Sequence, residues 1–370
     1  MDNEKKKILI FYAAIGLGHK SIAENIGYWL EQAGFEVKLM DAQKTQGGIL
    51  ANWGKKIYQW IMPKTPFLWD WFYNTEWFIS LTLGFRTNVA GLNYGHILDE
   101  IILFQPDLVI STHTTASAVL SYLKEKKLFT KKFVIAFSDF HLHRYWLYEN
   151  ADMYLVNTNE QKDEMLTLGL NPQKIIICGI TLKPKAVINI AETKNKYGVL
   201  PQDKVVLISS GSQGFGVDEN LITDLLTPPN TKIIVLCGSN SVIYKYLVNK
   251  FSNPNVIILN YHQFMDELYA ITDIFVSKAG ALSVSEALSW RLPVLISHLL
   301  PGGETHNYNY LLEKGLVMPE PINVIDSILE ELDTGAFKKS IDKNTTARNL
   351  FNNNELLVET VSQTIDLFQK

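Results

Sequence analysis

The chain contains the same opening pattern twice, and this repeat limits the folds that are open to it. Residues 5–21 read KKKILIFYAAIGLGHKS, and residues 203–219 read DKVVLISSGSQGFGVDE. In both, an apolar run of strand length leads into a glycine-rich turn and then into a helix-like stretch. Such a beginning is typical of α/β domains in which helices connect parallel strands. We therefore predict two such domains in tandem, each built on a doubly wound sheet.

The rest of the chain continues this alternation, and its length of 370 residues suits two domains better than one. A polar, proline-marked stretch at 181–203 separates the two series of strands. We expect a Rossmann-like domain over 1–184, a second over 185–345, and a C-terminal helix over 346–370 that packs back on the first. The predicted strands are 7–13, 35–40, 107–112, 132–137, 153–157, 174–178, 204–209, 231–237, 255–259, 273–277 and 293–297.

The composition argues against several classes of protein. The net charge of -4 is not that of a dedicated nucleic-acid binder. Residues 1–190 hold 20 basic and 18 acidic side chains, whereas residues 191–370 hold 14 and 20, so the first half is the better candidate to face an anionic surface. We expect no membrane-spanning helix, because no apolar run reaches roughly 18 residues. We also expect no signal peptide, because the apolar run near the N-terminus is short, ends in GHKS and lacks a small-residue cleavage site. Cys178 and Cys237 each end an apolar run and are predicted to be buried thiols.

The first glycine turn differs from a dinucleotide-binding fingerprint. Ser21 stands where the third glycine would be, although Asp41 could still serve as the ribose-binding acid. His19 follows the second glycine and is expected in the first turn of a helix, where the helix dipole disfavours the protonated imidazole. A neutral imidazole can act as a general base or orient a hydroxyl, although a histidine here could also simply cap or pack. The helix itself is predicted from the shared face of Ile22, Ala23, Ile26, Trp29, Leu30 and Ala33.

An aromatic segment interrupts the alternation at about residues 50–90. Ten of the residues between Trp53 and Phe78 are aromatic, and five of these are tryptophan. Tryptophan and tyrosine favour places that are apolar at one end and wet at the other, including the headgroup level of a membrane. The alternatives are a helix pair buried in the core and a segment partly exposed to lipid.

Two further segments place candidate functional residues at the ends of predicted strands. In FSDFHLHRYW, residues 137–146, Asp139 stands just past a strand, and His141 and His143 lack a third ligand at a spacing that would indicate a metal. In SSGSQGFG, residues 209–216, successive backbone amides form a concavity suited to an anion, although an ordinary turn is the alternative.

The segment 277–307, SKAGALSVSEALSWRLPVLISHLLPGGETHN, brings two loops to neighbouring strand ends. Each loop carries a carboxylate, Glu286 in the first and Glu304 in the second. Carboxylates accept hydrogen bonds from vicinal hydroxyls, so both are candidates for sugar binding. The S-x-S-E pattern around Glu286 is also compatible with ordinary helix capping.

Taken together, these motifs resemble the MurG-like glycosyltransferases of the GT-B fold, in the branch that makes monogalactosyl- and glucosyl-diacylglycerol. The matching positions form four motifs in order along the chain. The resemblance extends from residue 8 to about 315. They are Gly16, Gly18 and His19; Asp139, His143 and Trp146; Lys278, Gly280, Ser283, Ser285 and Glu286; and Pro301, Gly302, Glu304 and Asn307. The sequence departs from the family pattern at Thr181, Lys183 and Gly303, the last in place of a glutamine near the donor sugar.

The resemblance implies two Rossmann-like domains with an interdomain cleft. It also implies an inverting transfer of hexose from UDP-glucose or UDP-galactose to diacylglycerol, with no metal or other cofactor. The protein would be cytoplasmic and peripheral on an anionic membrane. Asp139 or His19 would be the base, with Asp139 favoured. The acceptor would contact Gly16, Gly18, His143 and Trp146, and the donor would contact Gly211, Ser212, Gln213, Lys278, Gly280, Ser283, Glu286, Gly302, Glu304 and Asn307.

Two alternative functions share this double-domain plan. A UDP-GlcNAc 2-epimerase, or a MurG-like enzyme with another acceptor, would use the same donor motifs. An inactive protein that binds a nucleotide sugar or a lipid would bind UDP without turnover.

Overall fold

The computed structural model describes residues 5–13, 18–43, 71, 73–91, 94–212, 214, 217–300, 302–319, 323–351 and 353–366. It divides into two units. The first unit comprises Met1–Lys183, Pro301–His306 and Leu350–Lys370, and the second comprises Pro184–Leu300 and Asn307–Asn349.

The first unit is built on a six-stranded parallel sheet in the order β2-β1-β3-β4-β5-β6. The strands are β1 Lys7–Tyr12, β2 Glu36–Asp41, β3 Leu108–Ser111, β4 Lys132–Ala136, β5 Met153–Val156 and β6 Ile175–Ile177. The helices are α1 Gly18–Gln32, α2 Glu76–Ala90, α3 Gly95–Phe104, α4 Thr114–Glu125 and α5 Asn159–Thr167. Strands such as β3 are buried along their whole length, because helices cover both faces of a parallel sheet.

The second unit has a five-stranded parallel sheet in the order β11-β10-β7-β8-β9. The strands are β7 Lys204–Ser209, β8 Thr231–Leu236, β9 Val256–Leu259, β10 Ile274–Lys278 and β11 Val294–His298. The helices that follow α5 in the chain are α6 Ile190–Lys196, α7 Glu219–Asp224, α8 Ser241–Lys250, α9 Met265–Ile271, α10 Ala281–Ser289, α11 Gly303–Glu313, α12 Val324–Thr334, α13 Ala336–Lys343, α14 Thr345–Asn349 and α15 Asn354–Asp366. The last of these, α15, belongs to the first unit and packs against α1.

All eleven predicted strands are present, each within one residue of its predicted bounds. The predicted amphipathic helix is α1, in which Ile22, Ala23, Ile26 and Leu30 are buried. Ala33 was expected on the same face, but it is exposed because the helix ends at Gln32. Cys178 and Cys237 are free, buried thiols, as predicted, and burial raises the pKa of Cys178 to about 12 and that of Cys237 to about 11.

Candidate active site

The first unit places its candidate residues where the strand order reverses, between β1 and β3. In open α/β sheets, ligands bind outside the carboxyl ends of the strands at this position. The chain leaves β1 toward Gly18 and His19 at the start of α1, and it leaves β3 into Thr112 and His113. Gly16 lies outside the described residues.

His19 is held by one hydrogen bond that fixes its tautomer. Its Nδ1 lies 2.9 Å from the carbonyl oxygen of Thr112. A carbonyl can only accept, so Nδ1 carries the proton and the neutral ring presents a bare Nε2. Among the described residues, no group bonds to Nε2. Burial lowers the pKa of His19, and the nearby carboxylate of Asp139 and the Thr112 carbonyl offset part of this effect. His19 is therefore a neutral proton acceptor beside a carboxylate.

Asp139 lies in the loop that follows β4, and neighbouring side chains fix the backbone of that loop. Asn157 donates from Nδ2 to the carbonyl of Asp139 at 2.8 Å and to that of Phe137 at 3.1 Å. Gln161 donates from Nε2 to the carbonyls of Asp139 at 2.9 Å and His141 at 2.8 Å. The carboxylate of Asp139 is thus presented from a backbone that is held on both sides.

The sequence motifs did not identify Asn157 and Gln161 as residues that support the site. Both stand at the start of α5, where Thr158 and Gln161 form a reciprocal capping box. The pattern T-x-x-Q directly after a buried strand was the available signal. This pattern predicts the start of a helix. It does not show that the side-chain amides of Asn157 and Gln161 bind the loop that follows β4.

His143 and Trp146 lie on the turn that follows, and both ring nitrogens of His143 are engaged there. His143 Nδ1 accepts from the backbone N–H of Tyr145 at 3.2 Å, and Nε2 lies 3.0 Å from the carbonyl oxygen of Tyr73. The Trp146 ring is buried, with its centroid 5.2 Å from that of Phe137. These two residues therefore shape the turn, and their predicted contact with the acceptor stays a prediction.

The second unit also has a reversal of strand order, between β10 and β7. Ser209 ends β7, and the turn after it passes through Gly211 and Gly214, with φ of +71° and +65°. Only glycine adopts such angles without strain. A Cβ on Gly211 would lie 2.6 Å from Cε of Lys278, so the lysine side chain crosses directly over this turn. Ser212 accepts from the N–H of Ser239 at 2.8 Å through its carbonyl. Gln213 lies outside the described residues.

If this turn holds UDP, as the resemblance implies, substitution of Gly211 by alanine is expected to weaken UDP binding, because the new Cβ displaces Lys278 from the turn. We expect a loss of about tenfold in affinity, together with backbone strain of about 1–3 kcal/mol. Gly198→Ala is the matched control, because Gly198 also has a positive φ, +60°, but faces open space. Thermal unfolding should report a comparable loss of stability in both variants, and calorimetry with UDP should report weaker binding only for Gly211→Ala. Equal UDP affinities in the two variants would contradict the assignment.

The segment from Lys278 to α10 has the features of an anion site. The register between β10 and β11 shifts at Ser277/Lys278, which re-aims the side chain at the strand end. Gly280 is the N-cap of α10 and has no side-chain cap, so the first N–H groups of the helix remain available. Asn307 Nδ2 donates to the carbonyl of Ala279 at 3.3 Å and steadies this loop, and Ser283 lies in the first turn of α10.

Glu286 lies on α10 with its carboxyl group largely removed from water. Burial raises the pKa of Glu286 to about 7, and a hydrogen bond from the hydroxyl of Tyr269, at 3.2 Å, partly opposes that rise. Within the described part of the chain, the buried hydroxyl groups of Ser210 and Ser285 in the same unit have no hydrogen-bond partner. Buried polar groups are normally satisfied, so these two oxygens fit a site that a polar ligand completes.

The segment 302–304 begins α11. Gly302 has a φ of +99°, and Glu304 stands in the first turn of the helix. A Cβ on Gly303 would lie 2.9 Å from Cε1 of His141 and 3.2 Å from the hydroxyl of Tyr73. The space that a glutamine would need is therefore occupied, which gives a physical reason for the departure at this position.

Over the described residues, no group of three or more His, Cys, Asp and Glu side chains is arranged to hold a metal ion. In the same part of the chain, none of the helices has the length and apolar character to cross a membrane.

Comparison with known proteins finds a separate family match in each half of the chain. Residues 19–182 match the family described as monogalactosyldiacylglycerol (MGDG) synthase, and residues 205–310 match the glycosyltransferase family 28 C-terminal domain. Among curated proteins, the chain is 26% identical to a processive diacylglycerol beta-glucosyltransferase from Bacillus pumilus, with 99% of this chain and 97% of that protein covered.

Solved structures are similar in fold at low sequence identity. The S. aureus MnaA–UDP co-structure superposes with a TM-score of 0.64 at 14% identity, covering 99% of this chain and 98% of that one. MurG from Acinetobacter baumannii superposes with a TM-score of 0.59 at 15% identity, covering 97% and 99%. The predicted fold, two parallel-sheet domains of the GT-B type, is confirmed.

Proposed function

Because the chain belongs to the MurG-like, family 28 glycosyltransferases, in the diacylglycerol-glycosylating branch, we propose that it transfers glucose or galactose from a UDP-sugar to the hydroxyl of diacylglycerol at a membrane surface. It is a UDP-sugar-dependent hexosyltransferase by family, and the proposal adds the sugar, the lipid acceptor and the membrane.

The proposal of a lipid acceptor is best supported by the outer face of α2. Four apolar side chains repeat there at four-residue spacing: Trp77, Leu81, Phe85 and Val89, which are 60%, 52%, 60% and 62% exposed. The residues between them on the same face are Ser80, Gly84 and Asn88, so this exposed face carries no charge. An exposed, uncharged apolar stripe with an aromatic residue at its end fits the headgroup boundary of a bilayer.

The opposite side of α2 is fastened to the turn that bears His143 and Trp146. Arg86 donates to the carbonyl oxygens of Arg144 at 3.2 Å, Tyr145 at 3.1 Å and Leu147. Its guanidinium also lies 3.8 Å from the centre of the Tyr148 ring. A lipid that reaches α2 thus arrives at an element tied directly to the proposed acceptor side of the first unit.

The sequence leaves two interpretations of the aromatic segment, a helix pair buried in the core and a segment partly exposed to lipid. Trp71 and Trp77 are 48% and 60% exposed, and their ring centroids lie 6.2 Å apart. This part supports the lipid-facing interpretation. Most of the stretch between Trp53 and Phe78, namely residues 53–70 and 72, lies outside the described residues.

The first unit supplies the proton acceptor for the reaction. Asp139, with His19 beside it, takes the proton from the diacylglycerol hydroxyl as its oxygen attacks C1 of the sugar. The attack comes from the face opposite UDP, so the anomeric configuration inverts. The bond between C1 and the diphosphate oxygen breaks, and UDP leaves with the electron pair.

Most of the proposed donor residues lie in the second unit, whereas Gly302 and Glu304 belong to the first. The turn at 209–214, Lys278 and the open N-terminus of α10 stabilise the charge that develops on the leaving diphosphate. Glu286 accepts hydrogen bonds from the ribose hydroxyls. Glu304 and Asn307 hold the hexose or the neighbouring phosphate.

Insertion of α2 into lipid predicts a large effect of charge on its outer face. Each of the four apolar side chains gains roughly 1 kcal/mol on leaving water, since about half of its surface is still exposed. The double variant Leu81→Glu/Phe85→Glu should therefore bind vesicles of anionic phospholipid with 5% diacylglycerol at least about 30-fold more weakly. Sedimentation of such vesicles measures this partition.

Val242→Glu is the control for that experiment, because Val242 is 77% exposed on α8 in the second unit. This variant should sediment like the wild type. Equal sedimentation of the double variant and the wild type would remove α2 from the lipid surface.

A donor screen tests the transfer itself. UDP release from UDP-glucose, UDP-galactose and UDP-GlcNAc is measured with and without diacylglycerol in mixed micelles. We expect release from one of the two hexose donors that depends on diacylglycerol. Interconversion of UDP-sugars without lipid would indicate an epimerase, and UDP binding without release would indicate an inactive binding protein.

A further inference from the structure

The loop after β3 carries two adjacent residues that both act on His19. Thr112 accepts the Nδ1 proton of His19 through its carbonyl, and its hydroxyl donates to the carbonyl of His19 at 3.0 Å. His113, the next residue, places its ring centroid 4.6 Å from that of His19, with the planes at 86°. None of the functional assignments above uses this second histidine.

The tautomer of His113 is fixed by the helix that it caps. As the N-cap of α4, it accepts the backbone N–H of Thr115 at Nδ1, with a distance of 3.1 Å. A neutral His113 therefore carries its proton on Nε2. The two rings thus have complementary tautomers, since His19 is protonated at Nδ1 and His113 at Nε2.

We propose that His113 is a positioning residue for His19, whose ring it packs against so that the bare Nε2 of His19 stays directed at the acceptor and water is kept from the imidazole. The edge-to-face contact restricts rotation of the His19 ring, and the Thr112 hydrogen bond restricts its tautomer. Because Thr112 and His113 are consecutive, the start of α4 sets both restraints at once.

The electrostatics of the pair agree with this geometry. Burial lowers the pKa of both imidazoles, that of His113 strongly, and the His19 ring lowers the pKa of His113 further. The carboxylate of Asp139 and the carbonyl of Thr112 raise the pKa of His19 and so oppose the effect of burial. The centroid of the Trp146 ring lies 6.2 Å from that of His19. Removing the His113 ring admits water, so protonation of His19 should become easier.

Two variants separate the ring of His113 from its capping function. His113→Asn keeps a side-chain oxygen that can cap α4 but removes the ring. His113→Phe keeps a ring of similar size but removes the cap. Should His113→Asn fail to fold, His113→Gln replaces it, because its amide oxygen also accepts from a nearby N–H.

The first readout needs no substrate and does not depend on the proposed reaction. Two-bond ¹H–¹⁵N imidazole spectra of the full chain are recorded from pH 5 to 8, with His19 assigned from His19→Gln. In the wild type and His113→Phe, we expect the Nδ1–H tautomer of His19 and a midpoint below its ordinary value of about 6.5. In His113→Asn, the His19 ring is free to rotate away from the Thr112 carbonyl, so we expect a mixture of tautomers and a midpoint raised toward that value.

The second readout rests on the proposed function. In His113→Asn, the acid limb of kcat/KM should move upward with the His19 midpoint, and kcat should fall about tenfold, while KM for the UDP-sugar stays unchanged. The proposal is overturned if His113→Asn leaves the tautomer and midpoint of His19 as in the wild type, or if His113→Phe shifts them equally. Absence of transfer to diacylglycerol with the expected spectra would instead reject the proposed function and leave the role of His113 standing.

Discussion

Replacement of Asp139 by asparagine is expected to lower kcat by roughly 10²- to 10⁴-fold, the usual contribution of a positioned proton acceptor. The amide cannot take the proton of the acceptor hydroxyl. The backbone hydrogen bonds from Asn157 and Gln161 to the loop remain, so its geometry should be preserved. Turnover with saturating UDP-sugar and diacylglycerol measures the loss, and UDP affinity from calorimetry should be unchanged because Asp139 is not among the proposed donor residues.

Asp152→Asn provides the contrast for this variant. Asp152 accepts from Lys124, from Lys132 at 3.1 Å and from the N–H of Phe133 at 2.8 Å, so its role is to hold the sheet. Its loss should lower the melting temperature and leave kcat within about threefold. If Asp139→Asn keeps near-normal kcat while His19→Gln abolishes it, the assignment of the base to Asp139 is wrong and His19 takes that role.

Glu286→Gln is expected to weaken UDP binding by about 10- to 100-fold at pH 8 and to remove its pH dependence. In the proposed complex the ribose hydroxyls donate to the carboxylate, and hydrogen bonds to a charged acceptor contribute about 1.5–3 kcal/mol. Since the pKa of Glu286 is raised to about 7, the wild type should bind UDP more tightly as pH rises from 6 to 8. Calorimetry across this range distinguishes the rising affinity of the wild type from the flat profile of the variant.

The same pKa predicts an opposite effect on stability. The fold favours protonated Glu286, so its contribution to stability is present below about pH 4.3, the ordinary value for Glu, and is lost as pH rises through about 7. Glu286→Gln should therefore melt above the wild type at pH 8 and close to it at pH 4. Glu267→Gln is the control, because Glu267 pairs at the surface with Lys196 at 2.6 Å. It should show neither the loss of UDP affinity nor the gain in stability, and the same changes in this control would remove Glu286 from the ribose.

The sheets could be predicted from the sequence because parallel strands are buried on both faces and read as continuous apolar runs. The runs 204–209 and 231–237 thus became β7 and β8 with bounds correct to one residue. Helix α1 could be predicted because its apolar residues repeat at three and four. The prediction that Ala33 shares the apolar face was wrong, because periodicity does not mark where a helix ends. Here a turn follows Gln32.

The supporting contacts of the site could not be predicted, because they join residues far apart in sequence. Asn157 reaches back 18 residues to the carbonyl of Asp139, and His19 bonds to a carbonyl 93 residues away. Arg86 reads as a lone cation in an apolar helix, yet in the structure it binds three carbonyl oxygens. Spacing along a chain carries no information about such pairs until the order of the strands is known.

The most direct measurement is the chemical identity of the lipid product. The 370-residue protein is incubated with UDP-glucose or UDP-galactose and diacylglycerol in anionic vesicles, and the extracted lipid is examined by mass spectrometry and by NMR of the anomeric proton. We predict a hexosyl-diacylglycerol with a β-linkage, formed in step with release of UDP. A product with an α-linkage, or release of UDP with free hexose and no glycolipid, would contradict an inverting transfer to diacylglycerol.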